Sequence, residues 1–401
     1  MHIPYDSPRV HLYTRIRKSA FFHASRRHGV QSYSVCNRMY HPRHYDDPIA
    51  EYWKLVNDVT LWDVGVERQV EITGPDAAAF TNLLTPRDLT RCEVGQCKFV
   101  LVTDERGGIL NNPVLLRLDD NHFWLSVADG DVLLWAKGVA SFAGYDVAVD
   151  EPDVAPVQVQ GPKSRDVMVA LFGERILDLR YYRHDRFSLD GLEMVVSRTG
   201  YTGELGYEIY LYDATRNAGQ LWDAVLEAGR PYGIAPIGPC QIRRVEAGIL
   251  SYGSDITVDT HVDGSYEFLN PYEAGLEWTV DLDQDAPFVG RAALERVAAE
   301  GPRRKVVGVE IDSDPLVGYL EDYVPVLADG ERIGHISSAF WSPRLRRNIG
   351  FALVAAAYAE LGTELTAQLR GQETTLRVVP KPFIDPKKET PKADLRTVGV
   401  R

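Results

Sequence analysis

Cysteine is scarce in this 401-residue chain, and what there is does not cluster. Cys36, Cys92, Cys97 and Cys240 form no C-x-x-C pair, and no His/Cys group has zinc-finger spacing. A disulfide scaffold and a structural zinc site are therefore excluded, and reduced thiols in a cytoplasmic protein are expected. His41-Pro-Arg-His44 offers two ligands without a carboxylate partner, which argues against a metal site. No stretch approaches the ~18 apolar residues of a membrane span, and the N-terminus carries no apolar signal segment. Positive charge is short as well. The net charge of −13 excludes general nucleic-acid binding, which needs a basic face. No glycine-rich fingerprint follows a strand and opens a helix, and there is no P-loop, so nucleotide binding of those kinds is absent too.

What is present is an ordinary globular balance, 45% hydrophobic and 25% charged, in a length that suggests two or three domains. The charge is uneven. Residues 1–44 carry eight Arg or Lys against Asp6 alone, together with six of the ten histidines. We read residues 1–45 as an irregular arm docked on the acidic body, where it would also be placed to cover an anionic ligand.

A pattern then occurs twice. Val70–Thr73 alternates like a strand, followed by Gly74-Pro75 and a helix over 76–84; Val157–Gln160 does the same before Gly161-Pro162 and a helix over 163–172. Two such units 87 residues apart predict a duplicated α+β core. A helix is expected over 47–57, long helices over 215–229 and 239–251, and further strands over 97–103, 110–118, 122–128, 192–198 and 206–212. After Gly290 and a short helix (291–299), six short strands at even spacing between 306 and 379 predict a small β-barrel. The tail after Pro386 is charged and expected to be mobile.

The most informative segment is Arg198-Thr-Gly-Tyr-Thr-Gly-Glu-Leu-Gly-Tyr-Glu208. A bend between strands accounts for its glycines. It does not account for Glu204 and Glu208 at the mouth of the bend, where a carboxylate can accept two parallel N–H bonds from an aminopyrimidine ring. This segment resembles the signature of the glycine cleavage T-protein (aminomethyltransferase) superfamily of folate-dependent enzymes. Gly95–Val100, Asp104–Leu110, Gln160-Gly-Pro-Lys163, Arg244-Val-Glu-Ala-Gly248, Tyr252–Asp255, Asn270–Gly275 and Ser342–Asn348 support the resemblance in order, over roughly residues 45–380. Within the superfamily, Tyr33–Met39, Trp62–Gln69, Leu84–Leu89 and Asp129–Gly138 are similar to the dimethylsulfoniopropionate demethylase branch, whereas Arg198–Glu208 is closer to the aminomethyltransferase form.

The resemblance implies an α+β, T-protein-like fold: two related α/β subdomains plus a C-terminal β-barrel around a central folate channel. The expected division is an arm (1–45), a folate-binding domain of two related halves (46–285), the barrel (286–385) and the tail (386–401). It implies tetrahydrofolate as cofactor, with Glu208, Glu204, Tyr201, Arg244 and Asn111 as its ligands. A small-molecule methyl donor would sit near Tyr33, Trp62 and Trp124, with Asn112 and Tyr207 at the reaction centre. Arg244 or the Arg344/Arg346/Arg347 cluster would receive the folate's glutamate. The implied activity is transfer of a methyl group from a sulfonium, quaternary ammonium or methoxy compound to tetrahydrofolate. The alternatives are the aminomethyltransferase of glycine cleavage, which would need a lipoylated carrier protein, and a non-catalytic folate-binding protein. A monomer or homodimer is expected.

Two departures from the family pattern stand out. In Gly107-Gly-Ile-Leu-Asn111-Asn112-Pro113, Asn112 occupies the place where the family's carboxylate is expected. Asn keeps hydrogen bonding but cannot take a proton. Proton-shuffling aminomethyl chemistry is disfavoured by that change more than direct methyl displacement. Second, residues 261–269 are inserted before Asn270-Pro-Tyr-Glu273, either as a tolerated surface loop or as a specificity lid.

Overall fold

The computed structural model describes residues 12–256 and 268–397, so most of the insert at 261–269 lies outside the described residues. Both repeated units form: Gln69–Thr73 leads into the helix Ala77–Leu83, and Val154–Gln160 leads into the helix Ser164–Phe172. Their turns are the same turn used twice. Gly74 and Gly161 take φ +122° and +124°, and a Cβ at either would stand 2.6 Å from a backbone carbonyl oxygen, that of Asp146 or of Asp58. Only glycine accommodates both the φ and the close approach.

Each unit belongs to its own sheet. In the first, the strand order is Ala148–Asp150, Gln69–Thr73, His122–Ser126, Val114–Asp119, Cys97–Phe99. In the second it is His184–Leu189, Leu192–Ser197, Gly206–Tyr212, Val154–Gln160, Thr60–Asp63, Ala235–Pro236. Successive side chains on a strand point to opposite faces. One face of the second sheet (Leu61, Val157, Val159, Tyr207, Ile209, Leu211) is buried against the helices Ser164–Phe172 and Ala214–Gly229. The other face presents one row of directly opposed residues, Ser197, Glu208, Gln158 and Trp62. This polar row on a buried face is the first sign of a site.

The C-terminal part closes into a six-stranded barrel in the order Arg304–Ile311, Arg347–Ala355, Glu331–Ser342, Val324–Ala328, Glu364–Leu369, Gln372–Val379. All six expected strands are there. The mixed α+β architecture with a terminal barrel is thus the one anticipated.

Five expectations need correction. From residue 12 onward the arm is not irregular: Arg17–Lys18, Met39–His44 and Ser32–Cys36 form a small sheet, and the helix Phe22–Arg27 is anchored by fully buried Phe21 and Phe22. The helix expected over 239–251 is only Gln241–Glu246, because Gly248 turns to φ +70°. The strand expected over 110–118 breaks into Ile109–Asn111 and Val114–Asp119, since Pro113 has no N–H for the ladder. That over 97–103 breaks likewise, at Val100-Leu101.

The tail is the fifth correction: its described part, up to Thr397, is docked. Arg198, 4% exposed, donates from Nη2 to the carbonyls of Pro391 (2.8 Å) and Ala393, and Leu395 is buried in the main core. A chain ended at Lys388 leaves that guanidinium without these acceptors and exposes the Leu395 pocket. It should lose about 3 kcal/mol or more of stability. Urea unfolding of the truncated protein checks this, and an unchanged midpoint would contradict the docking.

Candidate active site

The two sheets, the arm and the barrel enclose a cavity of about 700 Å³, within the range of small-molecule and cofactor sites. The arm contributes Ser34, Cys36, His41 and Arg43; the bend at 199–206 and the helix Gln241–Glu246 form another wall; the barrel adds Ser338 and Phe340. Its floor is the polar row of the second sheet.

Glu208 is the centre of the floor. It is 3% exposed and has no cation partner among the described residues. Three donors hold it: Gln158 Nε2 to Oε1 at 2.7 Å, Tyr210 OH to Oε2 at 3.0 Å, and Thr199 Oγ1, also to Oε2. Since Gln158 turns its amide N–H toward Glu208, its Oε1 is left buried without a partner in the cavity wall. Glu67 lines the same floor and accepts a bond from Ser126 Oγ at 3.3 Å. Burial raises both carboxyls. For Glu67, raised well above its ordinary value, the negative charge of Glu208 adds to the effect; for Glu208 the three donors oppose it. Of the pair, Glu67 therefore holds its proton to the higher pH.

The Gly-Tyr-Thr-Gly bend is shaped around one side chain. Gln160 accepts from Thr202 Oγ1 at 2.7 Å and donates to the carbonyls of Thr199 and Tyr207 at 3.2 and 3.3 Å. A Cβ on Gly200 or Gly206 would fall 2.3 or 2.2 Å from that amide, and one on Gly203 would fall 2.7 Å from Ala247 Cβ. The three glycines are thus set by packing, as the bend alone suggested. Glu204 accepts from Arg243 Nε at 2.6 Å through Oε1, which leaves Oε2 free of hydrogen bonds.

The structure brings together Asn112, Glu208, Glu204, Tyr201, Arg244 and Trp62 around this cavity. Asn112 Oδ1 is buried there without a hydrogen-bond partner. Trp62 Nε1 donates to Thr60 Oγ1 at 2.8 Å, which fixes the indole. Arg244 lines the cavity, but its guanidinium is fully engaged by Gln241 Oε1, the Ile249 carbonyl, Asp255 and Ser338 Oγ.

Four other expected residues do not line the cavity. Tyr207 is next to Glu208 on a strand and so faces the opposite side, among the helix-packed core. Asn111 likewise points away from its neighbour; its amide bonds the backbone of Ala128 (3.1 Å) and Asp129 (2.5 Å). Trp124 donates to Glu71 at 2.9 Å and packs on Tyr210 and Tyr212. Tyr33 stacks on Phe22 with ring centroids 5.2 Å apart. Of the late cluster, Arg344 pairs with Glu246 at 2.7 Å and Arg347 with Glu310 at 2.7 Å.

Residue-by-residue reading missed Glu67, Gln158, His41 and Arg43. Gln158 was detectable, because a Gln facing a strand's polar side opposite Glu208 follows from the alternation of both strands. His41 is held neutral, its imidazole lowered to about 3 by burial and by Arg43, so it can hydrogen-bond but carries no proton to donate as an acid near neutrality.

Comparison with known proteins places this geometry. A model described as the GCVT N-terminal domain matches residues 21–284, and one described as the glycine cleavage T-protein C-terminal barrel domain matches 304–385. The chain is 37% identical over 354 residues to the dimethylsulfoniopropionate demethylase of Ruegeria pomeroyi, covering 88% of this chain and 93% of that protein. It is 31% identical over 350 residues to an aminomethyltransferase of Caldanaerobacter subterraneus, covering 85% and 89%. In fold it is similar to the aminomethyltransferase T of Bartonella henselae, with a TM-score of 0.79, 24% identity, and coverage of 92% of this chain and 99% of that one.

The carboxyl pair carries a pH signature. A raised carboxyl favours the folded state while it is protonated, and that contribution is lost as pH rises through its folded-state value. Glu67→Gln keeps the neutral shape and has no proton to lose. The melting temperature of Glu67→Gln relative to the unaltered protein should therefore climb over the pH range that lies above the ordinary carboxylate value. Parallel curves across that range would show that Glu67 is not held protonated.

Proposed function

The chain belongs to the glycine cleavage T-protein family of tetrahydrofolate-dependent one-carbon transferases, and from that premise we propose that it moves a methyl group from a small methylated substrate to tetrahydrofolate. The observation that carries this reading is Asn112, a neutral side chain whose oxygen has no partner among the described residues, in a cavity lining that also holds Glu67 and Glu208.

The cavity suits a reduced pterin. An aminopyrimidine edge presents N–H donors, and the lining offers Gln158 Oε1 and Asn112 Oδ1, buried acceptors without partners among the described residues, beside the neutral His41 and with Glu204 Oε2 making no hydrogen bond among those residues. Glu208 acts on such a ligand through Gln158, since its own oxygens already accept three bonds. Tyr201 and Trp62 supply flat walls. Tetrahydrofolate contributes a nucleophilic nitrogen when bound. This chain's residues then have to hold that nitrogen, the methyl carbon and the leaving atom in line, and keep water out.

Displacement at an onium methyl releases a neutral leaving group, which takes the electron pair of the broken bond. No acid is needed for it. An acidic floor and the Trp62 indole favour a cationic methyl donor over a neutral one. The relative from Ruegeria pomeroyi is named for a sulfonium carboxylate, so that compound is the first donor to try.

The test is incubation with tetrahydrofolate and a panel of sulfonium, quaternary ammonium and methoxy compounds, read by mass for 5-methyltetrahydrofolate. Product from at least one donor is expected; none from any donor, with folate bound, would sink methyl transfer. Asn112→Asp adds an acidic group to a lining that already holds Glu67, Glu204 and Glu208, and it should leave the rate equal or lower. A large gain, or activity that appears only with a lipoylated carrier protein, would instead favour aminomethyl transfer.

A further inference from the structure

We propose that Arg43, on the arm, is a carboxylate-binding residue of the cavity, taking the carboxylate of the methyl donor or of the folate tail. The inference rests on the folate-and-donor reading of the same cavity.

Four observations carry it. First, Arg43 lines the cavity, yet its guanidinium makes no hydrogen bond or ion pair among the described residues. The neighbouring lining arginines differ: Arg243 is paired with Glu204 at 2.6 Å and Arg244 with Asp255. Second, the guanidinium is already oriented. It stacks over the Tyr319 ring at 4.4 Å, and Tyr319 in turn packs edge-on to Phe340 at 5.6 Å. A stacked guanidinium keeps its planar fork of donors free at the edge, the geometry that takes a carboxylate through two parallel bonds.

Third, the backbone sets Arg43 apart. Ser32 pairs with His44 and Tyr33 with Pro42, so Arg43 is the extra residue of a β-bulge. Bulges re-aim a side chain beside functional sites. The bulge is clamped to the body: a Cβ on Gly238 would lie 1.9 Å from the Arg43 carbonyl oxygen, and Gly238 N donates to Glu51 Oε2 at 3.2 Å. Fourth, Glu67, Asp129 and Arg43 all line the cavity, and all three act on the Cys36 thiol, which lines it with them.

Lys388 is the other lining cation with no carboxylate partner among the described residues. It stands beside Lys392, and burial lowers its ammonium. It has no aromatic support, and it is a point charge rather than a fork.

Calorimetry on the full-length protein decides the matter. Arg43→Met and Arg43→Lys would be titrated with tetrahydrofolate, with 6-methyltetrahydropterin, which lacks the glutamate, and with matched donors: dimethylsulfoniopropionate against trimethylsulfonium, glycine betaine against tetramethylammonium. Loss of a charged bidentate contact should weaken a carboxylate ligand roughly thirtyfold in Arg43→Met, with a partial loss in Arg43→Lys. A loss for tetrahydrofolate but not for 6-methyltetrahydropterin assigns the carboxylate to the folate. A loss for the carboxylate donors but not for their carboxylate-free partners assigns it to the donor. Unchanged affinity for every ligand overturns the proposal, and so does equal weakening of the carboxylate-free probes. If the unaltered protein binds neither tetrahydrofolate nor 6-methyltetrahydropterin, the folate reading fails, and the donor pairs alone then decide the role of Arg43.

Discussion

Burying Glu208 without a cation is the constraint around which the cavity is arranged. A carboxylate in that position is tolerated only if its lone pairs are satisfied by hydrogen bonds. Gln158, Thr199 and Tyr210 provide them, and all three are placed by the pairing of neighbouring strands or by the bend that follows. Consequences then follow in sequence. The Gln158 amide is locked, so its oxygen must face the cavity. Glu67 beside it is pushed further toward its protonated form, by burial first and then by the charge of Glu208. The floor becomes a fixed arrangement of acceptors, set before any ligand arrives.

The wall opposite is held by a second buried polar network. Glu246 accepts from Tyr52 OH at 2.8 Å, Ser342 Oγ at 2.6 Å and Arg344 Nη2 at 2.7 Å, while Arg243 joins Glu204 of the bend to the same helix. One short helix is thereby tied to the helix Pro48–Asn57, to the bend and to the barrel. Replacing such buried ion pairs with apolar groups is often neutral or stabilising, so net stability is a weak reason for them. Their evident effect is geometric. They fix the distance between the barrel and the second sheet, and that distance is the width of the cavity. Arg244 belongs to this framework, which is why it is a poor candidate for a free carboxylate anchor despite its place in the lining.

How far the site could be read from the sequence depended on which rule applied. The duplicated units were legible because Gly-Pro after an alternating strand states a backbone requirement directly, and Gly74 and Gly161 meet it with the same φ and the same close approach. The barrel strands were legible from spacing. The assignment of adjacent residues to one site was where the reading failed. Tyr207 and Glu208 lie on one strand, so only one of them can face the cavity, and the alternation already contained in Gly206–Tyr212 should have separated them. Asn111 and Asn112 part for a related reason, at the break before Pro113. The arm and the tail were misread because basic composition outweighed a few apolar anchors, Phe21, Phe22 and Leu395, each of which is buried. Glu67 and Arg43 could not be found by local pattern at all, since their significance lies in what surrounds them.

Charge is also distributed along the cavity in a direction. The floor holds Glu208, 3% exposed, and Glu67, and the arm side holds Arg43 against Tyr319, which is 51% exposed and so marks the rim. A ligand that is cationic at its methylated end and anionic at the other gains from both ends in only one orientation; reversed, it would place like charges together at each. Electrostatic complementarity of this kind contributes more to orientation and specificity than to raw affinity. In-line methyl displacement is the reaction that most needs that service, because a donor that binds well but backwards presents no methyl carbon to the nucleophile. The same polarity turns away a ligand with two anionic ends, since one of them would have to lie beside Glu208. A neutral Asn112 fits this arrangement: its Oδ1, without a partner among the described residues, is available to a ligand's donor and adds no charge to the lining.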